Sequence, residues 1–319
     1  MQQIFLVTSP FFGLVLCGYV VGRVRLLPLE SIPGLNSFVL FFALPAMLYR
    51  FAASTPIVRL LDPGVCLVYL LCARLMVWVT IACTRRGATG WNDAAFGALV
   101  ASFPNSGFMG VPLLVALLGQ QAAAPAIVAL ALDMVVTSSL CIALSRLDGA
   151  HEHGVAPAVA QALKGMVRNP LPWSIALGCL TTATGAQLWE PAQRTIDLLA
   201  DGASPVALFT IGAVLARARL AASGSQPRPI GDAPLVVLFK LVVHPALVFG
   251  VGKLVQRVGV PLEDFSLTVL VLVAALPSAS NVPILAERFG ADSARIARIV
   301  LLTTLGAFLS FSAAVSMLR

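Results

Sequence analysis

Charge is scarce in this chain. Asp, Glu, Lys and Arg make up 11% of the 319 residues, whereas 59% are hydrophobic. So few polar side chains cannot clothe a globule in water, which excludes a soluble enzyme or binding module and leaves the bilayer as the solvent. The chain has three histidines and six cysteines. The cysteines (Cys17, Cys66, Cys72, Cys83, Cys141, Cys179) show no CxxC spacing and fall mostly inside apolar runs, so neither a zinc site nor a disulfide framework is expected and packing is their role. HExxH, aspartates paired within apolar runs and a Gly-x-Ser-x-Gly elbow are all missing, and with them the signatures of an intramembrane enzyme. No metal and no bound cofactor are expected.

What is present is a series of apolar stretches near the length a helix needs to cross the hydrocarbon core. Ten are expected, over residues 4–22, 35–53, 63–83, 94–118, 123–145, 168–189, 195–216, 233–255, 266–288 and 294–317. Runs this long exclude a β-barrel, whose strands alternate over about ten positions, so the fold class is all-α integral membrane. The first run has no basic segment before it and no cleavage site within it, so it reads as a retained span.

The formal net charge is +7, but the bases are scattered over the loops with no patch for nucleic acid. Topology accounts for them. With the N-terminus outside, Arg23, Arg25, Arg85, Arg86, Arg146, Lys164, Arg168, Arg217, Arg219, Arg228, Arg288 and Arg295 are cytoplasmic, and Arg50, Arg59, Arg194, Lys253, Arg257 and Arg319 are external. That bias favours a multi-pass protein of the cytoplasmic (inner) membrane with both termini extracytoplasmic.

Five spans lie on each side of a polar segment beginning Asp148-Gly-Ala-His-Glu-His-Gly. The expected organisation is a first five-helix repeat over 1–147, a short cytoplasmic linker over 148–166 and a second repeat over 167–319, inverted because an odd number of crossings reverses the copy. Motifs support the duplication. Val100-Ala-Ser-Phe-Pro-Asn-Ser-Gly-Phe-Met-Gly-Val-Pro112 in span four is matched by Val273-Ala-Ala-Leu-Pro-Ser-Ala-Ser-Asn-Val-Pro283 in span nine, and Leu44-Pro-Ala-Met-Leu is echoed more weakly by Ser204-Pro-Val-Ala-Leu. Prolines this close together open a helix, and opened backbone at membrane depth is tolerated only in protein or against a watery cavity. Broken helices at matching places in two halves point to a transporter's binding site. Pro104, Asn105, Ser106, Gly107, Pro277, Ser278, Ser280 and Asn281 are therefore the candidate substrate residues, their amides and hydroxyls suited to an organic anion. Kinks packed against neighbouring helices are the alternative for either motif alone.

The Pro-Asn-Ser-Gly-Phe-Met-Gly-Val-Pro-Leu-Leu core of span four resembles the corresponding motif of the auxin efflux carrier family, and Ala274-Ala-Leu-Pro-Ser-Ala-Ser-Asn-Val-Pro-Ile-Leu-Ala-Glu-Arg-Phe289 resembles its ninth-span counterpart. That family includes plant auxin carriers and bacterial malate or malonate permease-like proteins; the short central segment resembles the bacterial kind. The resemblance implies ten helices in a fold like that of the bile acid sodium symporters, with spans four and nine crossing at their proline breaks. It also implies a scaffold of spans one, two, six and seven, a transport domain of spans three to five and eight to ten, contact of the Asn105 side chain with substrate, and a homodimer through the scaffold. Ser278-Ala-Ser-Asn281 departs from the family's usual second crossover, which leaves the substrate open between a dicarboxylate such as malonate or malate and an aromatic acid received by Phe103, Phe108 and Met109.

Arg74, Asp133 and Lys240 fall well inside spans, where an unpaired charge is costly. They are expected to face one another or a cavity, with His244 near Lys240. A structural ion pair and a coupling network are both consistent with them, and proton or sodium coupling both stay open. A sodium symporter of another organic solute and a non-transporting membrane sensor are the competing functions.

Overall fold

The computed structural model describes residues 2–56, 62–85, 89–147, 170–222 and 231–318. The expected linker over 148–166 lies outside them, as do His151 and His153. Among the described residues there are helices and a single isolated bridge but no strand.

The first five elements are α1 (Gln2–Arg23), α2 (Leu29–Ala53), α3 (Pro63–Thr84), α4 (Trp91–Ser102) and α5 (Ser106–Leu118). They are followed by α6 (Gln120–Ser145), α7 (Pro170–Thr184), α8 (Glu190–Ala222), α9 (Ala233–Arg257), α10 (Asp264–Ala275), α11 (Val282–Arg288) and α12 (Ser293–Leu318). Six of them (α2, α3, α6, α8, α9 and α12) are long and apolar enough to cross a membrane. The stretch expected over 168–189 is shorter as a helix, ending at Thr184, and the next helix starts earlier than expected, at Glu190.

The two proline-containing stretches are each split, at α4/α5 and α10/α11. The residue before a proline is pushed out of the α region. Accordingly Phe103, before Pro104, has φ −95° and ψ 101°, and Leu276, before Pro277, has φ −62° and ψ 156°. Other prolines act more gently. One wide π turn lies over Val39–Ala43, one over Ser106–Gly110 and one over Phe239–Val243, and Pro45, Pro112 and Pro245 each stand two residues beyond. A wide turn moves the ring off the carbonyl it would otherwise strike. A fourth π turn, Asp133–Thr137, has no proline after it; there the Ser138 N–H and hydroxyl both donate to the Asp133 carbonyl.

The chain forms two compact units, neither of which coincides with a half of the sequence. In the first are α1, α2, α5, the opening turns of α6, α7 and α8. Here α1 crosses α8 at very short range. A Cβ on Gly18 would stand 1.9 Å from the Phe209 carbonyl oxygen, and one on Gly212 equally close to that of Val15, so only glycine fits at this crossing. Arg50 on α2 binds Asp201 on α8 at 2.7 Å, and Thr182 on α7 donates to the Ala53 carbonyl at 2.6 Å.

The second unit contains α3, α4, the rest of α6 and α9 through α12. Its core is apolar and almost closed to solvent, with Tyr69, Phe96, Leu99, Leu270 and Phe311 among its buried side chains. Both proline breaks that interrupt helices begin in this unit.

Candidate functional site

The two breaks meet as a pair of short extended segments. Pro104 and Ser278 form an antiparallel bridge, in which the Asn105 N–H donates to the Pro277 carbonyl (2.8 Å) and the Ala279 N–H to the Phe103 carbonyl (3.0 Å). Phe103, Pro104, Asn105, Pro277, Ser278 and Ala279 are all buried, so the backbone groups freed by the prolines must find partners inside the protein.

Two of the vacancies can be followed. Pro104 has no N–H for the Val100 carbonyl four residues earlier; the Ser278 hydroxyl donates to that carbonyl at 2.6 Å. In a continuous helix the Ser278 N–H would serve the Ala274 carbonyl. It donates instead to Thr303 Oγ1 on α12 at 3.2 Å, and Lys240 Nζ on α9 takes its place at the Ala274 carbonyl, at 2.7 Å. Lys240 thus sits at the C-terminal, negative end of α10, where an ammonium group is favoured.

Lys240 is fully buried, and its Nζ also lies 3.3 Å from His244 Nδ1, one turn further along α9. His244 is fully buried as well, and its Nε2 has no hydrogen-bond partner among the described residues. Asp133 on α6 is fully buried too; Tyr69 on α3 donates to its Oδ2 at 2.5 Å and Thr137 to its Oδ1 at 3.0 Å. Asp133 and Lys240 interact electrostatically without forming a direct ion pair. Arg74 does not join this group. It is exposed on α3 beside Leu71, Leu75 and Trp78, which are also exposed, because it lies on the face opposite Tyr69, Cys72 and Met76.

The remaining sequence candidates separate by what their polar groups do. Ser278 is committed to the Val100 carbonyl and acts as a strut. Asn105 is 3% exposed, and its backbone N–H is the one spent on the bridge. Ser280 and Asn281 are half-buried, and Asn281 stands at the N-cap of α11 without a side-chain cap bond. Ser106 and Gly107 are buried in the wide turn that opens α5, in the first unit. Tyr69, Thr137 and Thr303 were not foreseen: a lone tyrosine and threonines inside apolar runs carry no motif.

A protein-family model described as "Membrane transport protein" matches residues 7–315. The chain belongs to this family. As a member it is a membrane-embedded transporter, and the family's work is transport rather than catalysis. Similar proteins agree in kind. A Rhizobium meliloti protein named "Putative malonate transporter" is 28% identical over 310 residues, covering 96% of this chain and 92% of that protein. An Escherichia coli (strain K12) protein named "Uncharacterized transporter YfdV" is 26% identical over 286 residues, covering 88% and 86%. "Auxin efflux carrier component 8" of Arabidopsis thaliana is 22% identical over 325 residues, 85% of each chain, which bears out the resemblance to auxin efflux carriers.

Proposed function

We propose that the chain is a secondary transporter of a small organic carboxylate, with malonate the first candidate, and that the carboxylate binds at the crossover of the second unit. The observation that carries this reading is Asn105. At the junction of two interrupted helices the Asn105 backbone N–H is spent on the bridge, and its buried side chain brings a carboxamide with two N–H donors to the place where the two breaks meet. Amide donors inside the protein form strong hydrogen bonds to an ionised acceptor, so a carboxylate that takes them is a favourable occupant. Ser280 and Asn281 add a hydroxyl and a second amide a few residues past the bridge. The name of the Rhizobium meliloti relative supports malonate among such acids.

In this reading the second unit carries the substrate and the first serves as scaffold, by alternating access in an elevator-like or rocking movement. The ten apolar stretches form two inverted five-span repeats in the inner membrane, both termini lie outside, and two copies associate through the scaffold. Asp133, which interacts with Lys240 electrostatically, is the proton carrier of the coupling step.

Uptake of radiolabelled malonate, malate and indole-acetic acid into proteoliposomes under imposed proton or sodium gradients tests this. Gradient-dependent accumulation of one acid, lost in Asn105→Ala, is the expected result. Accumulation unchanged in Asn105→Ala removes the crossover as the site, and no accumulation of any acid moves the chain toward another solute or a sensory role.

A further inference from the structure

We infer that Thr303 on α12 is a positioning residue for the crossover, setting where the Asn105 carboxamide stands. The inference rests on the reading of the crossover as the transport site. Its basis is one peptide plane. The Pro277 carbonyl and the Ser278 N–H belong to the same peptide unit, and they are held from opposite ends: Asn105 N–H donates to the carbonyl at 2.8 Å, and Thr303 Oγ1 accepts from the N–H at 3.2 Å. A peptide unit gripped at both ends cannot rotate about its flanking bonds without breaking one of the two contacts.

The grip has a fixed direction. The Thr303 hydroxyl proton is spent on the Val300 carbonyl one turn earlier (3.0 Å), which leaves an oxygen lone pair for Ser278. Thr303 is fully buried, as is Ser278, so no water replaces the acceptor if the hydroxyl is removed. Ser278 cannot compensate, since its own hydroxyl closes the Val100 vacancy on α4. Thr303, Ser278 and Lys240 therefore bind α12, α4 and α9 to the two breaks through three different backbone vacancies. Of the three, only Thr303 acts on the peptide unit that holds Asn105. Removing its oxygen frees the 277–278 peptide to turn, and the Asn105 backbone moves with it.

The test uses the full chain in proteoliposomes, with malonate uptake and amide hydrogen exchange around Ser278 followed on the same preparations. Thr303→Val keeps the branched shape and removes the acceptor. It is expected to raise KM for malonate about tenfold, the loss of roughly one hydrogen bond, with the maximal rate little changed. Exchange at the Ser278 amide rises in parallel. Thr303→Ser restores both values. Parent-like KM and exchange in Thr303→Val overturn the inference, as does a Thr303→Ser that behaves like Thr303→Val. If the valine variant does not reconstitute, Thr303→Ala against Thr303→Ser makes the same comparison. Asn105→Ala separates this inference from the one beneath it. Parent-like transport in Asn105→Ala defeats the crossover as the site, whereas loss in Asn105→Ala beside parent-like Thr303→Val defeats only the role of Thr303, and the exchange measurement decides on Thr303 even if malonate is not carried.

Discussion

Asp133 and Lys240 are a fully buried acid and a fully buried base whose direct hydrogen bonds go elsewhere, to Tyr69 and Thr137 on one side and to the Ala274 carbonyl and His244 on the other. Each offsets part of the other's desolvation, because attraction across a low-dielectric core is weakly screened. Removing one leaves the other unbalanced. Asp133→Asn and Lys240→Met are each expected to lower the melting temperature of the purified protein. The double variant should recover part of that loss, with a coupling on the order of 1–3 kcal/mol. Strict additivity in thermal unfolding would show that the two charges ignore each other. The functional counterpart is separate: Asp133→Asn is expected to abolish proton-driven accumulation and to leave solute exchange without a gradient intact, and full pH-dependent accumulation in that variant removes Asp133 as the carrier. Arg74 shows the limit of reading charge from position alone. All three charges fall inside apolar runs, but which face of α3 looks inward depends on packing, and Arg74 lies with the exposed leucines.

Among the elements, the proline breaks were legible because the rule behind them is local: the ring forbids the preceding residue the helical region, whatever surrounds it. Crossing of the two breaks was expected only from resemblance, and their pairing through Pro104 and Ser278 is visible only in the structure, since nothing in either motif specifies which carbonyl receives which N–H. The wide turns divide in the same way. Those before Pro45, Pro112 and Pro245 have a proline to mark them, whereas Asp133–Thr137 does not and is visible only in the structure. The starts of α4, α9 and α12 were also unreadable as a group. Arg295 in the first turn of α12 makes a two-pronged contact with Asp232, the N-cap of α9, and donates to the Asp93 carbonyl in α4 at 2.8 Å. Asp292 caps α12 by accepting from the Arg295 N–H at 3.0 Å, and its own N–H donates to Asp93 Oδ1 at 2.8 Å. A Cβ on Gly97 would meet the guanidinium at 2.7 Å, so α4 leaves the space the fork occupies. Lysine gathers its donors on one nitrogen and cannot reproduce the planar fork in which Nε and Nη2 serve Asp232 while Nη1 serves Asp93. Arg295→Lys is therefore expected to destabilise the protein by about 1–3 kcal/mol, read as a lower melting temperature. Asp232→Asn, which keeps one oxygen to accept from the guanidinium, should cost less. Equal melting temperatures for Arg295→Lys and the parent would mean that the three helix starts are held by apolar packing alone.

At the scale of the whole molecule the two compact units draw on both halves of the sequence, so the unit that holds the crossover is assembled from α3, α4, part of α6 and α9 through α12. A carrier must expose its site to each side of the membrane in turn, whereas a sensor has no need to, and this difference can be measured without knowing the substrate. Ser280 suits the measurement because it is half-buried just past the bridge and carries no bond of the crossover itself. The six native cysteines are replaced first, since Cys17 is exposed and Cys66, Cys83 and Cys179 are partly so. Ser280→Cys in that background is expected to react with a membrane-impermeant thiol reagent applied from either face of right-side-out and inside-out vesicles, and malonate should slow both reactions. Labelling from one face only, unchanged by any gradient or acid, would fit a fixed sensor. Labelling from both faces that malonate leaves untouched would keep alternating access and discard malonate. The two halves of the proposal, movement and cargo, thereby fail separately.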